Sequence, residues 1–270
     1  MIHRQFLSFK ITWVSTRDLL LKWIPYALVL LLSACGTKRD SSTLTIAAAA
    51  NTQFAMEEIA ALYSEKTGTQ HVLVFSSSGK LTAQIMEGAP YDVFVSADMK
   101  YPTELFNSGL TQGSPRVYAY GKLVLWSIQE SVHPSLAILK DSTVEHIALA
   151  NPKTAPYGRA ADEVLKFYDL YPTTSAKLVF GESISQTNQF ITSGAAEIGF
   201  TAMSVVLSPK MKGKGSWQAL DENSYKPIGQ GVVALQSKGE TTEGANEFIT
   251  FLFSKEARGI LEKYGYTFDE

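Results

Sequence analysis

Residues 44–270 of the 270-residue chain predict an α/β fold of two lobes, each a mostly parallel sheet flanked by helices, joined by two crossing strands. Three observations carry that expectation. Short apolar runs alternate with helix-length amphipathic stretches from Leu44 to Ala97, the same alternation restarts from Glu145 to Ala202, and two long strand-like runs, 117–128 and 229–236, fall after each unit. Strand, helix and strand at this spacing imply parallel pairing through right-handed crossovers.

The first unit opens with "LTIAAA" (44–49), apolar at every position but Thr45, and reads as a buried strand. "FAMEEIAALYSEKTG" follows, with Phe54, Ile59, Leu62 and Tyr63 on one helical face, Lys66 in the last turn and Gly68 as the stop. "HVLVF" (71–75) reads as a strand, "GKLTAQIMEG" as a helix with Leu81 and Ile85 one turn apart, and "DVFVSA" (92–97) as the third strand. The run "VYAYGKLVLWSI" (117–128) then leaves this unit as one long strand. In the second unit "EHIALAN", "AKLVF" and "EIGFTA" are strands, separated by the helices "GRAADEVLKFYDL" and "SQTNQFITSG". "GQGVVALQ" (229–236) returns the chain, and "GANEFITFLFSKEARGILEKYG" is helical with a break near Ser254. The corresponding division is lobe 1 over 44–122 and 233–270, and lobe 2 over 123–232.

The N-terminal residues follow a different logic. Arg4, Lys10, Arg17 and Lys22 precede the apolar run "WIPYALVLLLSA", which at about a dozen residues is short of the roughly 20 of a membrane span but suits a secretory signal. Leu32-Ser33-Ala34-Cys35 resembles a bacterial lipobox, so residues 1–35 are expected to be a lipoprotein signal peptide ending at the lipidated Cys35, with 36–43 a polar tether. Cys35 is the sole cysteine, which excludes an internal disulfide or a thiolate metal site. After it stand 20 basic and 25 acidic residues with no Lys/Arg run, lacking the footprint of a nucleic-acid binder.

Four strand-to-helix junctions carry small or uncharged polar residues: Ala50-Asn51-Thr52, Ser76-Ser77-Ser78-Gly79, Ala155-Pro156-Tyr157-Gly158, and Gly181 to Gln186. In open α/β sheets such junctions gather at the carboxyl ends of the strands, where ligands bind. First-turn N–H groups and the positive end of a helix hold anions without a cationic side chain. Taken singly, each junction equally suits a plain N-cap worth ~1 kcal/mol.

"AAAANTQFAMEEIAALYSEKTG", "FSSSGKLTAQIMEGAPYDVFVSAD", "NPKTAPYGRAA" and the C-terminal "KYGY", in this order, resemble the periplasmic molybdate-binding proteins of ABC importers. The resemblance implies the type II periplasmic-binding-protein fold and an oxyanion, molybdate or tungstate, enclosed by neutral donors. It places Asn51, by side chain or backbone, Ser78, Tyr157 and Ile184 at the ligand. Ala202 stands where other members have a binding tyrosine, and Ala50 where a related branch has threonine. It further implies a monomer held at a bacterial membrane through lipid on Cys35, periplasmic or at the cell surface, delivering its ligand to a permease of the inner membrane, with no cofactor.

The residues also weigh against other classes. His71, His133 and His146 are dispersed, no G-x-S-x-G surrounds the serines, and no carboxylate tips the junctions apart from Glu182, so neither a hydrolase nor a protein-ligated metal is expected. An unprotonated dianion needs donors only, whereas phosphate usually keeps a proton and needs an acceptor. Sulfate is the alternative ligand on the same fold, and a secreted hydrolase the alternative from another class. Arg159 is expected to be solvated and Asp98 to be a structural acid near the hinge.

Overall fold

The structure, a computed structural model, describes residues 43–236 and 242–269. Cys35, the signal segment and the tether as far as residue 42 lie outside the described residues. The first half contains β1 (Thr43–Ala49), α1 (Gln53–Thr67), β2 (Gln70–Ser76), α2 (Ser78–Met86), β3 (Val93–Ser96), α3 (Lys100–Asn107) and β4 (Arg116–Gly121). The second contains β5 (Leu123–Ser127), β6 (Ile147–Ala150), α4 (Pro156–Phe167), β7 (Leu178–Gly181), α5 (Ile184–Thr192), β8 (Ile198–Ala202) and β9 (Ser216–Ala219). The chain ends with β10 (Ile228–Ala234), α6 (Thr242–Leu252) and α7 (Lys255–Lys263).

Two five-stranded sheets result, β2-β1-β3-β10-β4 and β7-β6-β8-β5-β9. They share one plan. In each, a three-strand parallel core (β2-β1-β3, β7-β6-β8) is extended by two strands paired antiparallel, so the sheets are mixed rather than mostly parallel. β1 is paired on both edges, with Ala47 opposite Val74 and Phe94, which explains its apolar run from Ile46 to Ala49.

Two expectations need correction. The run 117–128 is two strands, one in each sheet, broken at Lys122 where the chain crosses. The boundary expected between residues 232 and 233 falls inside β10, which pairs along its whole length with β3 and β4 and so belongs to the first sheet from Ile228 onward. The hydrophobic run hides this second crossing because the lobe changes where the backbone pairs, not where the side chains stop being apolar.

Packing follows the predicted faces in part, since Phe54 and Leu62 of the expected α1 face are only half-buried. α1 buries Ala55, Met56, Ile59, Ala60 and Tyr63, and stops at Gly68, whose φ of 76° is the left-handed conformation that glycine adopts without penalty. The predicted break near Ser254 separates α6 from α7, and the Ser254 hydroxyl caps α7 by accepting the Ala257 N–H at 3.2 Å. Ala49, Ala50 and Ala97, from first-sheet elements, pack into the same apolar cluster as Ala155, Tyr157 and Ile184 of the second. Small side chains here let the two lobes meet backbone to backbone.

Candidate functional site

All four junctions converge on one small cavity. It is lined by Ala49, Ala50 and Asn51 at the end of β1, by Ser77 and Ser78 at the start of α2, and by Ala97 after β3. The other lobe supplies Ala155, Pro156 and Tyr157 at the start of α4 and Ile184 at the start of α5. The cavity is lined without a charged side chain. About 200 Å³ of empty space, including the part open to solvent, lies between these residues.

Local sequence explains why donors face it. Pro156 occupies the first turn of α4, where its missing N–H costs nothing and its fixed φ favours helix, so this helix begins before the expected "GRAA" and takes in Tyr157. Ile184 likewise opens α5, behind the capping Ser183, so its apolar side chain matters less than its position. Asn51 lies in a 3₁₀ turn, Ala50–Thr52, that runs on into α1. The backbone N–H groups of Asn51, Ser78, Tyr157 and Ile184 thus all belong to the opening turn of a helix, where no intrahelical acceptor is in reach.

Hydroxyls complete the donor set. The Ser78 Oγ accepts the Ala97 N–H at 3.0 Å, which leaves its own proton to donate. Ser77 is the N-cap residue of α2, yet its hydroxyl makes no capping bond and is buried without a partner. The Tyr157 hydroxyl is also buried and unpartnered, seated against Gly121, where an added Cβ would come within 2.0 Å of it. A buried hydroxyl lacking a hydrogen bond costs ~1–3 kcal/mol, so two of them among the residues lining one cavity point to a partner from outside the chain. Burial pushes the Tyr157 phenol well above its ordinary value, with Tyr266, Tyr118 and Tyr225 adding to the shift, so it stays a neutral donor.

Asn51 is held from behind. Gln230 Nε2 donates to the carbonyls of Ala97 (3.2 Å) and Ile228 (3.0 Å), which turns Gln230 Oε1 toward Asn51. Asn51 Nδ2 therefore donates to Gln230 Oε1 (2.8 Å) and to the Tyr266 hydroxyl (3.1 Å). Both amide protons are committed away from the cavity, leaving the backbone N–H as the donor Asn51 can offer. Its carbonyl accepts the Ser204 hydroxyl (2.7 Å), from the other lobe, and the Tyr266 hydroxyl (3.2 Å). Burial raises the Tyr266 phenol to about 12.

Around the cavity the lobes are bonded directly. Gly79 N–H donates to the Thr154 carbonyl at 2.9 Å and the Tyr101 hydroxyl donates to the Lys153 carbonyl at 3.1 Å. Arg159 pairs with Asp98 and reaches the Tyr101 hydroxyl at 3.4 Å, while Lys80 pairs with Glu182. Arg159 is thus a cross-lobe partner rather than a solvated residue, because α4 carries it opposite the end of β3. Burial raises the Asp98 carboxyl, and the Arg159 guanidinium pulls it the other way.

The structure brings together Asn51, Ser78, Tyr157 and Ile184 as the sequence reading expected. Ser77, Gln230, Tyr266 and Ser204 were not singled out. Ser77 was visible only as one of three serines, whereas Gln230 and Tyr266 lie 179 and 215 positions from Asn51 and carry no local signal. Among the described residues there is no group of three or more His, Cys, Asp or Glu side chains able to hold a metal ion.

Comparison with known proteins gives a consistent family. Residues 44–267 match the family model described as bacterial extracellular solute-binding protein. The chain is 43% identical over 222 residues to the molybdate-binding protein ModA of Rhodobacter capsulatus, covering 82% of this chain and 86% of that one. It is 39% identical over 238 residues to ModA of Azotobacter vinelandii, covering 87% and 93%. Among solved structures, the Azotobacter vinelandii periplasmic molybdate-binding protein superposes with a TM-score of 0.80 at 35% identity, over 84% of this chain and 100% of that chain.

Proposed function

The chain belongs to the bacterial extracellular solute-binding protein family, and from that premise we propose that it captures molybdate, or the nearly isosteric tungstate, between its lobes and delivers it to an ABC-type permease. The observation that carries this reading is a cavity between helix starts, lined by neutral residues and flanked by hydroxyls that lack partners. Such a site supplies neutral donors and no carboxylate, which suits an unprotonated dianion. Backbone N–H groups of Asn51, Tyr157 and Ile184 and the hydroxyls of Ser77, Ser78 and Tyr157 are the proposed contacts. A Tyr157 phenol serves where Ala202 offers none, since Ala202 is fully buried at the end of β8.

Relatives named for molybdate favour this ligand over sulfate, and they favour binding over catalysis. Calorimetry of the purified domain with molybdate, tungstate, sulfate and phosphate tests the reading. Strong heat with molybdate or tungstate and none with phosphate is expected, whereas binding of a different anion alone would overturn it.

The protein is further proposed to act as a monomer, tethered through lipid on Cys35 on the outer side of a bacterial membrane. Cys35→Ser is expected to release it from the membrane fraction of producing cells. Retention of that variant in the membrane would overturn the anchor.

A further inference from the structure

Gln230 stands in β10, fully buried, at the point where the register with β4 shifts between Gln230 and Gly231. A buried glutamine in the middle of an apolar strand, "IGQGVVA", carries a desolvation cost unless its amide is fully bonded. Here it is. Oε1 accepts from Asn51, and Nε2 donates to the carbonyls of Ile228 and Ala97. Ala97 in turn gives its N–H to the Ser78 hydroxyl. One side chain on the returning strand thus sets two cavity loops at once: the Asn51 turn directly, and the Ser78 hydroxyl through a single residue, Ala97. Gln230 does not itself line the cavity.

We propose that Gln230 is the positioning residue of the anion site, holding the Asn51 N–H and the Ser78 O–H at the separation the bound oxyanion requires. This rests on the oxyanion-binding function proposed above. Donors around a tetrahedral dianion act at a fixed radius, and a loop that drifts by a few tenths of an ångström weakens its bond without losing any ligand-contacting atom. The register shift in β10 serves the same end, because bulges re-aim a side chain within a sheet. Its role is distinct from that of the contacts themselves: loss of Gln230 removes order, not a donor.

A double-mutant cycle with Ser78 tests this, since a residue acting through another loses its effect when that other is removed. Molybdate affinity is measured for wild type, Gln230→Met, Ser78→Ala and the double variant, with the melting temperature of each ligand-free protein alongside. Gln230→Met is expected to weaken binding at least tenfold alone and by a factor at least about threefold smaller in the Ser78→Ala background, the remainder being the part exerted through the Asn51 turn. Gln230→Glu keeps the side-chain length and the acceptor toward Asn51, and gives a second measurement of the same cycle if the methionine variant does not fold. Unchanged affinity in either folded variant, or equal losses in both backgrounds, would overturn the role of Gln230 while leaving the binding function standing. Wild-type silence toward molybdate and tungstate would overturn both.

Discussion

The donor that best separates a binding role from a packing role is Tyr157, because its hydroxyl is buried and has no partner in the chain. Tyr157→Phe removes one hydrogen bond to a charged ligand and, within the chain, only the interaction of the phenol with the Asn51 side chain. Molybdate affinity should fall by about 1–3 kcal/mol, the range for hydrogen bonds to charged groups, with the ligand-free melting temperature unchanged or raised. Ser78→Ala should weaken binding by a similar ~1–3 kcal/mol, but it also strands the buried Ala97 N–H, so stability should fall with it. The two variants are told apart by calorimetry and melting together. Titration adds a third expectation. A phenol whose pKa is raised keeps its proton, and so its donor function, to higher pH than usual, and loses it only as pH passes that raised value. Molybdate affinity should therefore stay flat from neutral pH to about 10, and a fall in affinity between pH 8 and 9.5 would remove Tyr157 from the donor set.

At the scale of elements, the parallel cores were legible because each strand of them is a short apolar run followed by an amphipathic stretch that stops at a glycine or a polar cap. What escaped was anything set by pairing rather than by side-chain pattern: the break at Lys122, the membership of β10, the antiparallel extensions of both sheets. The site divides along the same line. The junctions that carry Ser78, Tyr157 and Ile184 were legible because a strand-to-helix handover is a local feature, and the family resemblance supplied the choice of those residues, whereas the bonds from Gln230 and Tyr266 to Asn51 exist only once distant segments are folded together. The Arg159 to Asp98 pair belongs to this second kind, and it predicts an asymmetry. Asp98 is the more buried partner, its side chain 16% exposed against 30% for Arg159. Arg159→Ala leaves a buried carboxylate unpaired, whereas Asp98→Asn leaves a guanidinium that water can reach. Removing one partner of a fully buried pair costs ~3–5 kcal/mol; discounted for exposure, Arg159→Ala should cost about 1–2 kcal/mol and Asp98→Asn less. Chemical denaturation of both variants checks it, and an equal or reversed order would mean the pair is not the link between α4 and the end of β3.

For the whole molecule, the way the lobes surround the cavity decides how binding proceeds. Helix starts of both lobes wall it, so ligand is expected to enter a conformation in which the lobes have parted and then re-closed around it. Around the cavity the lobes are joined through Gly79 to Thr154, Tyr101 to Lys153, Ser204 to Asn51 and two ion pairs. These contacts stabilise the closed form by themselves, and ligand adds only the difference between its affinities for the two forms. Gly79 sets how closely the lobes approach: a Cβ there would lie 2.7 Å from the Tyr101 hydroxyl and 2.9 Å from the Thr154 carbonyl. Backbone cannot yield as a flexible side chain can, so Gly79→Ala should hold the lobes apart. In small-angle scattering with molybdate present, Gly79→Ala should be more extended than wild type, and it should bind molybdate at least tenfold more weakly and release it faster. If the variant scatters and binds like wild type, the lobes do not meet through this backbone contact, and closure must depend on the anion alone.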